Sequence, residues 1–173
     1  MNQTQSLLSG FDTPAFTKAI CQWYRACGRD LPWRRTKDPY AIWISEIMLQ
    51  QTQVETVRPY YERFTDTFPD VQALALAPAD QVYKLWEGLG YYRRASHLME
   101  AAAVLMADYG GQFPDTYEEI LKLKGIGVYT ASAIASIAFN IPKGVIDGNT
   151  LRIISRVLDC QENIAKDATK KLY

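Results

Sequence analysis

The sequence predicts an all-α protein, and three observations lead to this fold class. Apolar residues recur at spacings of three and four in one segment after another, which is the period of a helix with one buried face. Proline and glycine residues separate these segments where helices are expected to begin and end. No segment alternates apolar and polar residues as a half-buried strand does. We therefore expect helices joined by short turns.

The first helix is predicted to run from Pro14 to about Cys27. Thr13 is expected to be its N-cap, with Pro14 as the first helical residue, and Gly28 marks its end. One face carries four large apolar residues: Phe16, Ile20, Trp23 and Tyr24.

A basic link from Arg29 to Arg35 follows, and it contains the segment Leu-Pro-Trp at residues 31–33. The tryptophan and three arginines of this link suit the wall of a pocket for a nucleobase. A solvated loop whose Trp33 side chain fills the hydrophobic core explains the same residues, so both interpretations stay open.

The next helix is predicted from Pro39 to Met48, with an apolar face made of Tyr40, Trp43, Ile44 and Ile47. Glu46 lies off that face, where a solvated glutamate is the ordinary interpretation and a general acid is the alternative. Residues 50–53 are Gln-Gln-Thr-Gln, an uncharged cluster that suits insertion into a base stack or hydrogen bonding to base edges. A plain surface cluster is the other interpretation of these glutamines.

Further helices are predicted over residues 54–64, 78–86 and 98–109, the last ended by two glycines. Between them, residues 88–94 place two tyrosines beside two arginines in a glycine-containing break. This grouping suits stacking into DNA, with Arg93 and Arg94 on phosphates. Core packing is the alternative and is expected for one of the two tyrosines, so Tyr91 is the candidate for intercalation.

A helix, a short turn and a second helix are predicted around Gly125-Ile126-Gly127. Thr116 and Glu119 have the spacing of a capping box, with Glu119 reaching back to the cap. The two glycines permit a positive φ angle and the close approach of another backbone. The following helix should pack closely through its alanines and fill the core with two isoleucines: Ala131, Ala135, Ala138, Ile134 and Ile137.

The amides of residues 125–128 are predicted to lie at an uncapped helix N-terminus, a position that favours an anion. Taken by itself, the hairpin is better explained as a helix C-cap followed by a tight connection between two helices. Asp147 precedes another helix, which carries Leu151, Ile154 and Leu158 at helical spacing. An isolated aspartate at such a place is an N-cap more often than a catalytic group.

Composition limits the type of protein. The 19 basic and 19 acidic residues balance, so nucleic-acid binding would have to rest on local sites. With three cysteines lacking C-x-x-C spacing and one histidine, we expect free thiols and predict no metal site. Without a transmembrane run or a leader, the chain is expected to be soluble, and cytoplasmic or nucleoid-associated. We also expect a monomer.

Four segments in order along the chain resemble the adenine DNA glycosylases of the helix-hairpin-helix superfamily, which act on adenine paired with guanine or 8-oxoguanine. These segments are LPW at 31–33, SEIMLQQTQ at 45–53, GLGYY at 88–92 and IDGN at 146–149. The resemblance covers about residues 23–157. It implies a helix-hairpin-helix glycosylase fold with a helical barrel lobe and an iron–sulfur lobe.

The resemblance also implies roles for individual residues. Glu46 would protonate the leaving adenine, Asp147 would stabilise the sugar cation with help from Asn149, and Tyr129 would occupy the place where related lyases carry an amine. DNA would be bound through the hairpin, Gly125, Ile126, Gly127 and Val128, and through Gln51 and Tyr91 inserted into the duplex. The adenine pocket would be lined by Arg29, Leu31, Trp33 and Arg34. The partner would be double-stranded DNA with an A:8-oxoguanine or A:G mismatch, at the bacterial nucleoid.

Adenine glycosylases continue to four cysteines that hold a [4Fe–4S] cluster and then to a domain that recognises 8-oxoguanine, and neither part is found before Tyr173. We therefore expect a truncated chain, weakly active or inactive. Its expected parts are residues 1–30, the first helix of the second lobe; residues 31–140, the helical lobe with the hairpin; and residues 141–173, the start of the second lobe.

Two alternatives compete with an adenine glycosylase. An endonuclease III-like lyase needs an amine just after the hairpin, where this chain has the phenol Tyr129, and Lys124 lies before the glycines. A non-catalytic module that only binds DNA would not need both Glu46 and Asp147.

Overall fold

The computed structural model describes residues 11–166, and the regular structure within this range is helical. The α-helices are α1 (Thr13–Cys27), α2 (Pro39–Leu49), α3 (Val54–Thr67), α4 (Val71–Ala75), α5 (Ala79–Trp86), α6 (Arg93–Tyr109), α7 (Tyr117–Ile120), α8 (Val128–Phe139) and α9 (Gly148–Val157). A short 3-10 helix spans Pro32–Arg34. The all-α class predicted from the sequence is confirmed.

The chain divides into two compact units. One unit is Asp30–Gly144, which contains the 3-10 helix and helices α2 to α8. The other is drawn from both ends of the chain, up to Arg29 and from Val145, and contains α1 and α9.

Helix α2 lies at the centre of the larger unit. It packs against α3, α6, α8 and the 3-10 helix. Seven of its 11 residues are buried, so α2 is buried on more of its surface than the single apolar face that the sequence predicted. Trp43 is fully buried, with its ring edge against Phe113 at 5.3 Å between centroids. The hydroxyl of Ser45, also buried, donates to the Ile42 carbonyl at 2.7 Å.

Two predicted capping interactions need correction, one at α1 and one at α7. Asp12, not Thr13, caps α1, because the Asp12 carboxylate accepts from the Ala15 amide at 2.9 Å and Thr13 is already helical. Thr116 caps α7 as predicted. However, the Glu119 carboxylate accepts from the Tyr109 hydroxyl at 2.7 Å and from Lys122, instead of reaching back to the cap.

Two helices of the larger unit differ from the prediction: one begins earlier, and the other was not predicted. Helix α6 begins at Arg93, five residues before the predicted start, and therefore includes Arg94 and His97. Helix α4 was not predicted, and it follows an Asp70 cap and packs against α6. In α8 Ile134 is buried as predicted, whereas Ile137 is 38% exposed and is not a core residue.

The smaller unit exposes much of its apolar surface. Every residue of α1 is exposed or half-buried, including Ile20 at 44%, Trp23 at 62% and Tyr24 at 48% exposure. Helix α9 buries Leu151, its inward residue. Over residues 11–166, no helix is both long and apolar enough to cross a membrane.

Candidate functional site

Glu46 is held on α2 between Ser45 and Ile47, both of which are buried. Burial raises the pKa of the Glu46 carboxyl from 4.5 to about 7, although the Arg34 guanidinium acts in the opposite direction. Burial has this effect because it penalises the charged form of the acid. The protonated and ionised forms therefore coexist at neutral pH, which is the condition for a general acid.

The 3-10 helix places the predicted base-pocket residues in different environments. Leu31 and Trp33 are 1% and 6% exposed and belong to the hydrophobic core, where Trp33 lies edge-on to Tyr61 at 5.1 Å. This is the core interpretation that the sequence left open for Trp33. Arg34 is exposed and near enough to Glu46 to lower its pKa. Arg29 belongs to the smaller unit and is exposed.

Gln51 and Tyr91 lie on two loops that border one cavity of about 600 Å³. The other lining residues are Gln50, Tyr92, Arg93, Arg94 and His97. Gln51 and Tyr91 are both exposed, and both have positive φ angles, 56° and 50°. Two candidates for insertion into DNA, 40 residues apart in the sequence, thus border the same space.

Neither tyrosine of the GLGYY segment is a core residue. Tyr91 is 60% exposed and Tyr92 is 45% exposed, so the expectation that one of them packs in the core was wrong. The ring of Tyr92 instead contacts the ring of Tyr83, with 6.3 Å between centroids.

Arg94 is buried at 8% exposure, and its predicted contact with DNA phosphate was wrong. Its Nη1 donates to the carbonyl oxygens of Ile47, Met48 and Gln50 at 2.9, 2.8 and 2.7 Å. Its Nη2 donates to the Thr52 hydroxyl at 3.2 Å and to the carbonyls of Leu89 and Gly90 at 3.4 and 3.1 Å. The guanidinium therefore connects the loop of Gln51 with the loop of Tyr91.

The hairpin glycines differ in what they do for the fold. Gly125 has φ +76°, and a Cβ there would lie 2.7 Å from Cβ of His97, so the fold itself requires glycine. A Cβ on Gly127 would meet nothing within 4 Å among residues 11–166. Ile126 is buried at 6% and anchors the turn, whereas Val128 is 66% exposed.

Gly127 is the N-cap of α8 and, in the part of the chain that is described, no side chain caps this helix. The first amides of an α-helix lack intrahelical acceptors and favour an anion. Tyr129, in the first turn of α8, is 44% exposed. The hairpin thus presents amide donors and an exposed phenol at the same helix end.

Asp147 is the N-cap of α9, and its carboxylate is fixed by three hydrogen bonds. Oδ1 accepts from the Thr150 amide at 2.7 Å and from the Thr150 hydroxyl at 2.8 Å. Oδ2 accepts from the side-chain amide of Asn149 at 3.3 Å. These bonds, the Thr150 amide first, hold the pKa of Asp147 below its ordinary value, so this carboxylate is ionised at neutral pH.

The two carboxyl groups are therefore tuned in opposite directions. Glu46 can hold a proton near neutral pH, whereas Asp147 stays negatively charged. Such a pair of environments distinguishes an acid from an electrostatic stabiliser in glycoside chemistry.

The sequence did not assign a role to Arg94 as a buried residue or to His97 as a neighbour of the hairpin. Arg93 and Arg94 are adjacent and chemically equal, so no local pattern says which one is buried. The only useful signal was the helical period: once α6 begins at Arg93, position 94 shares a face with buried Leu98 and Ala101.

A [4Fe–4S] cluster does not fit the residues present. Such a cluster needs four thiolates, whereas the sequence has three cysteines. Over residues 11–166, no group of three or more His, Cys, Asp or Glu side chains could hold a metal ion.

Comparison with known proteins is consistent with this geometry. A family model described as HhH-GPD superfamily base excision DNA repair protein matches residues 44–173. Relatives named adenine DNA glycosylase are 48% identical over 145 residues in Buchnera aphidicola subsp. Baizongia pistaciae and 47% identical over 155 residues in Rattus norvegicus. These alignments cover 83% and 84% of this chain, but the chain spans only 41% and 30% of the relatives' lengths.

The fold also matches solved structures. A thermostable thymine-DNA glycosylase superposes with a TM-score of 0.83 at 30% identity, covering 95% of this chain and 80% of that one. The helical fold, the hairpin and the match over residues 44–173 lead to one conclusion: the chain belongs to the HhH-GPD superfamily of base excision DNA repair proteins.

Proposed function

We propose that this chain carries the catalytic carboxyl groups of an adenine DNA glycosylase, an enzyme that hydrolyses the N-glycosidic bond of adenine opposite 8-oxoguanine or guanine. The names of the relatives support this activity. The observation that carries the proposal is the burial of Glu46 on α2. Burial brings the pKa of its carboxyl group to about 7, which suits a proton donor at neutral pH.

The proposed reaction follows from the poor leaving ability of an adenine anion. Glu46 donates its proton to adenine, at N7, as the bond between C1′ and N9 breaks and its electron pair passes to the base. General acid help of this kind is worth roughly 10²–10⁴ in rate. The sugar then resembles an oxocarbenium ion, which ionised Asp147, held by Thr150 and Asn149, stabilises. Water supplies the hydroxyl group at C1′ and releases a proton.

Adenine in a duplex is inaccessible to both carboxyl groups, so the nucleotide has to leave the base stack. Gln51 and Tyr91 fill the gap, and their exposed positions around one cavity support this role. The amides of residues 125–128 bind the phosphate backbone. Arg29, Leu31, Trp33 and Arg34 belong to the adenine pocket by their resemblance to the family segment. The chain acts as a monomer on mismatched DNA at the bacterial nucleoid.

Single-turnover release of adenine tests the proposal. The protein, in excess over DNA, is mixed with duplexes containing A:8-oxoguanine, A:G or A:T. The test uses this chain and a version extended with the carboxy-terminal segment of the Buchnera relative. We expect the extended version to release adenine from the two mismatches and not from A:T, and Glu46→Gln to abolish release. An extended version that binds all three duplexes and releases no adenine would contradict the proposal.

A further inference from the structure

The two loops that carry Gln51 and Tyr91 are held in an unusual conformation. Their φ angles, 56° and 50°, lie in the left-handed region that residues other than glycine seldom occupy. Such a conformation persists only where the surrounding structure enforces it. Both side chains are exposed, so core packing of Gln51 or Tyr91 does not supply that enforcement.

Arg94 supplies contacts on both sides. On the Gln51 side its guanidinium donates to the Gln50 carbonyl at 2.7 Å and to the Thr52 hydroxyl at 3.2 Å, the residues immediately before and after Gln51. On the Tyr91 side it donates to the Gly90 carbonyl at 3.1 Å, and the guanidinium carbon lies 5.3 Å from the Tyr91 ring centroid.

The remaining contacts fix the guanidinium itself. It donates to the carbonyls of Ile47 and Met48 in the last turn of α2, at the negative end of the helix dipole. It also lies 5.4 Å from the Trp86 ring. Only the planar fork of an arginine reaches these acceptors at once, since a lysine has a single nitrogen.

We propose that Arg94 is a positioning residue that holds Gln51 and Tyr91 as one preformed wedge for the opening of the DNA base stack. The inference rests on the proposed function, because that function requires the target adenine to leave the duplex. Arg94 sets the conformation of both loops before DNA binds, so the two side chains enter the stack together. Binding of the DNA phosphate backbone by the hairpin does not depend on Arg94.

The test is made in the extended version described above, which serves as wild type. It compares Arg94→Lys, which keeps the charge but loses the fork, with two controls. Leu105→Ala removes core packing from the same helix, α6, where Leu105 is fully buried, and thereby matches a general loss of stability. Arg63→Met removes an exposed positive charge that lies over the Tyr60 ring, away from the cavity.

The probe is an A:8-oxoguanine duplex whose adenosine carries a 2′-fluorine to resist cleavage, with 2-aminopurine beside it. 2-Aminopurine fluorescence rises when the stack opens, and fluorescence anisotropy gives the affinity for the duplex. Hydrogen exchange of the free protein is followed in the peptides that contain Gln51 and Tyr91.

We expect wild type and both controls to open the stack at saturation. Arg94→Lys should give a rise smaller by about fivefold or more, because the wedge is no longer preformed, while its affinity stays within about threefold of wild type. Both loop peptides should exchange faster in Arg94→Lys than in Leu105→Ala.

Two outcomes overturn the inference in distinguishable ways. If Arg94→Lys opens the stack as wild type does, the positioning role is wrong and the proposed function stands. If wild type binds the mismatch without opening the stack, the proposed function fails and the inference falls with it.

Discussion

At the scale of the residue, Glu46 links stability to pH. Its pKa is about 7 in the folded protein, against an ordinary value of 4.5. The folded state therefore holds its proton to higher pH than the unfolded chain, and stability should be full below pH 4.5 and fall between pH 4.5 and 7. The loss is roughly 3 kcal/mol at about 1.4 kcal/mol per pH unit.

Glu46→Gln should remove this dependence, because glutamine is neutral at every pH. We expect the variant to match wild type at pH 4 and to be more stable above pH 7, as measured by urea unfolding at several pH values. An unchanged pH dependence in the variant would mean that another group titrates.

The alkaline limit of activity should respond to Arg34. Its charge lowers the pKa of Glu46, so Arg34→Gln should raise that pKa and move the fall in adenine release to higher pH. Arg35→Gln is the matched control, since Arg35 is the next residue but pairs with Asp30. Single-turnover rates of the two variants, made in the extended version and measured between pH 6 and 9, give the pH at which adenine release falls. An equal change of this pH in both variants would refute the specific effect of Arg34.

Asp147 joins a structural and a proposed catalytic role in one carboxylate. Asparagine caps helices about as well as aspartate, so Asp147→Asn should change the free energy of unfolding by a few tenths of a kcal/mol, whereas Asp147→Ala should cost about 1 kcal/mol. Duplex affinity should persist, while adenine release should fall roughly 10²–10³-fold with the negative charge gone. Asp147→Asn with normal turnover would leave Asp147 as a helix cap alone.

Tyr129 tests the position of the reactive carbon. An amine attacks C1′ of an abasic product to form a Schiff base, which a phenol cannot do. We expect Tyr129→Lys to form a covalent complex with DNA that borohydride traps. Val128→Lys, one residue earlier at a more exposed position, is the control and should trap less. Glycosylase activity without any trapped complex would place C1′ away from residue 129.

At the scale of the element, the hairpin separates a glycine needed for folding from one available for binding. Gly125→Ala would introduce a left-handed alanine and a clash with His97, so it should destabilise the protein by about 1–3 kcal/mol. Gly127→Ala meets no described atom within 4 Å and should stay within about 1 kcal/mol of wild type.

Among folded molecules, Gly127→Ala should weaken duplex affinity more than Gly125→Ala does. A methyl group on Gly127 would stand where a phosphate approaches the α8 amides, so we expect a loss of roughly tenfold or more. Anisotropy titrations of folded Gly127→Ala measure this loss. Wild-type affinity would show that DNA does not approach the hairpin at this residue.

Elements governed by local chemistry were predicted well from the sequence. The Thr116 cap, the hairpin glycines and the Gly28 end of α1 depend on residues next to each other in the chain. Helix α4 was missed because five residues, Val71–Ala75, are too few to show a period. The burial around α2 was underestimated, since it results from packing against α3, α6 and α8 rather than from its own pattern.

The candidate site shows the same division. Glu46, Asp147, Gln51 and Tyr91 were predicted by resemblance and by residue type. The burial of Arg94 was not, because it follows from contacts between segments far apart in the sequence, as between Arg94 and Ile47.

At the scale of the whole molecule, α1 presents an apolar face to solvent through Ile20, Trp23 and Tyr24. Burial of one large apolar side chain is worth about 1.5–3 kcal/mol. We therefore expect this chain to bind a hydrophobic dye such as ANS, and the extended version to bind less. Trp23→Ser should lower the signal of this chain, and equal dye binding before and after the substitution would locate the apolar patch elsewhere. Iron content after anaerobic reconstitution should stay below stoichiometric.

The division of the chain into Asp30–Gly144 and a unit made from both flanking segments has a consequence for synthesis on the ribosome. Residues 30–144 are complete before residue 145 emerges, so the larger unit can fold early, with Glu46 in place. The segment up to Arg29 is synthesised before the larger unit, but it packs with residues from Val145 onward, which are synthesised after that unit. The nascent protein thus holds Glu46 in its folded environment before Asp147 has been added to the chain.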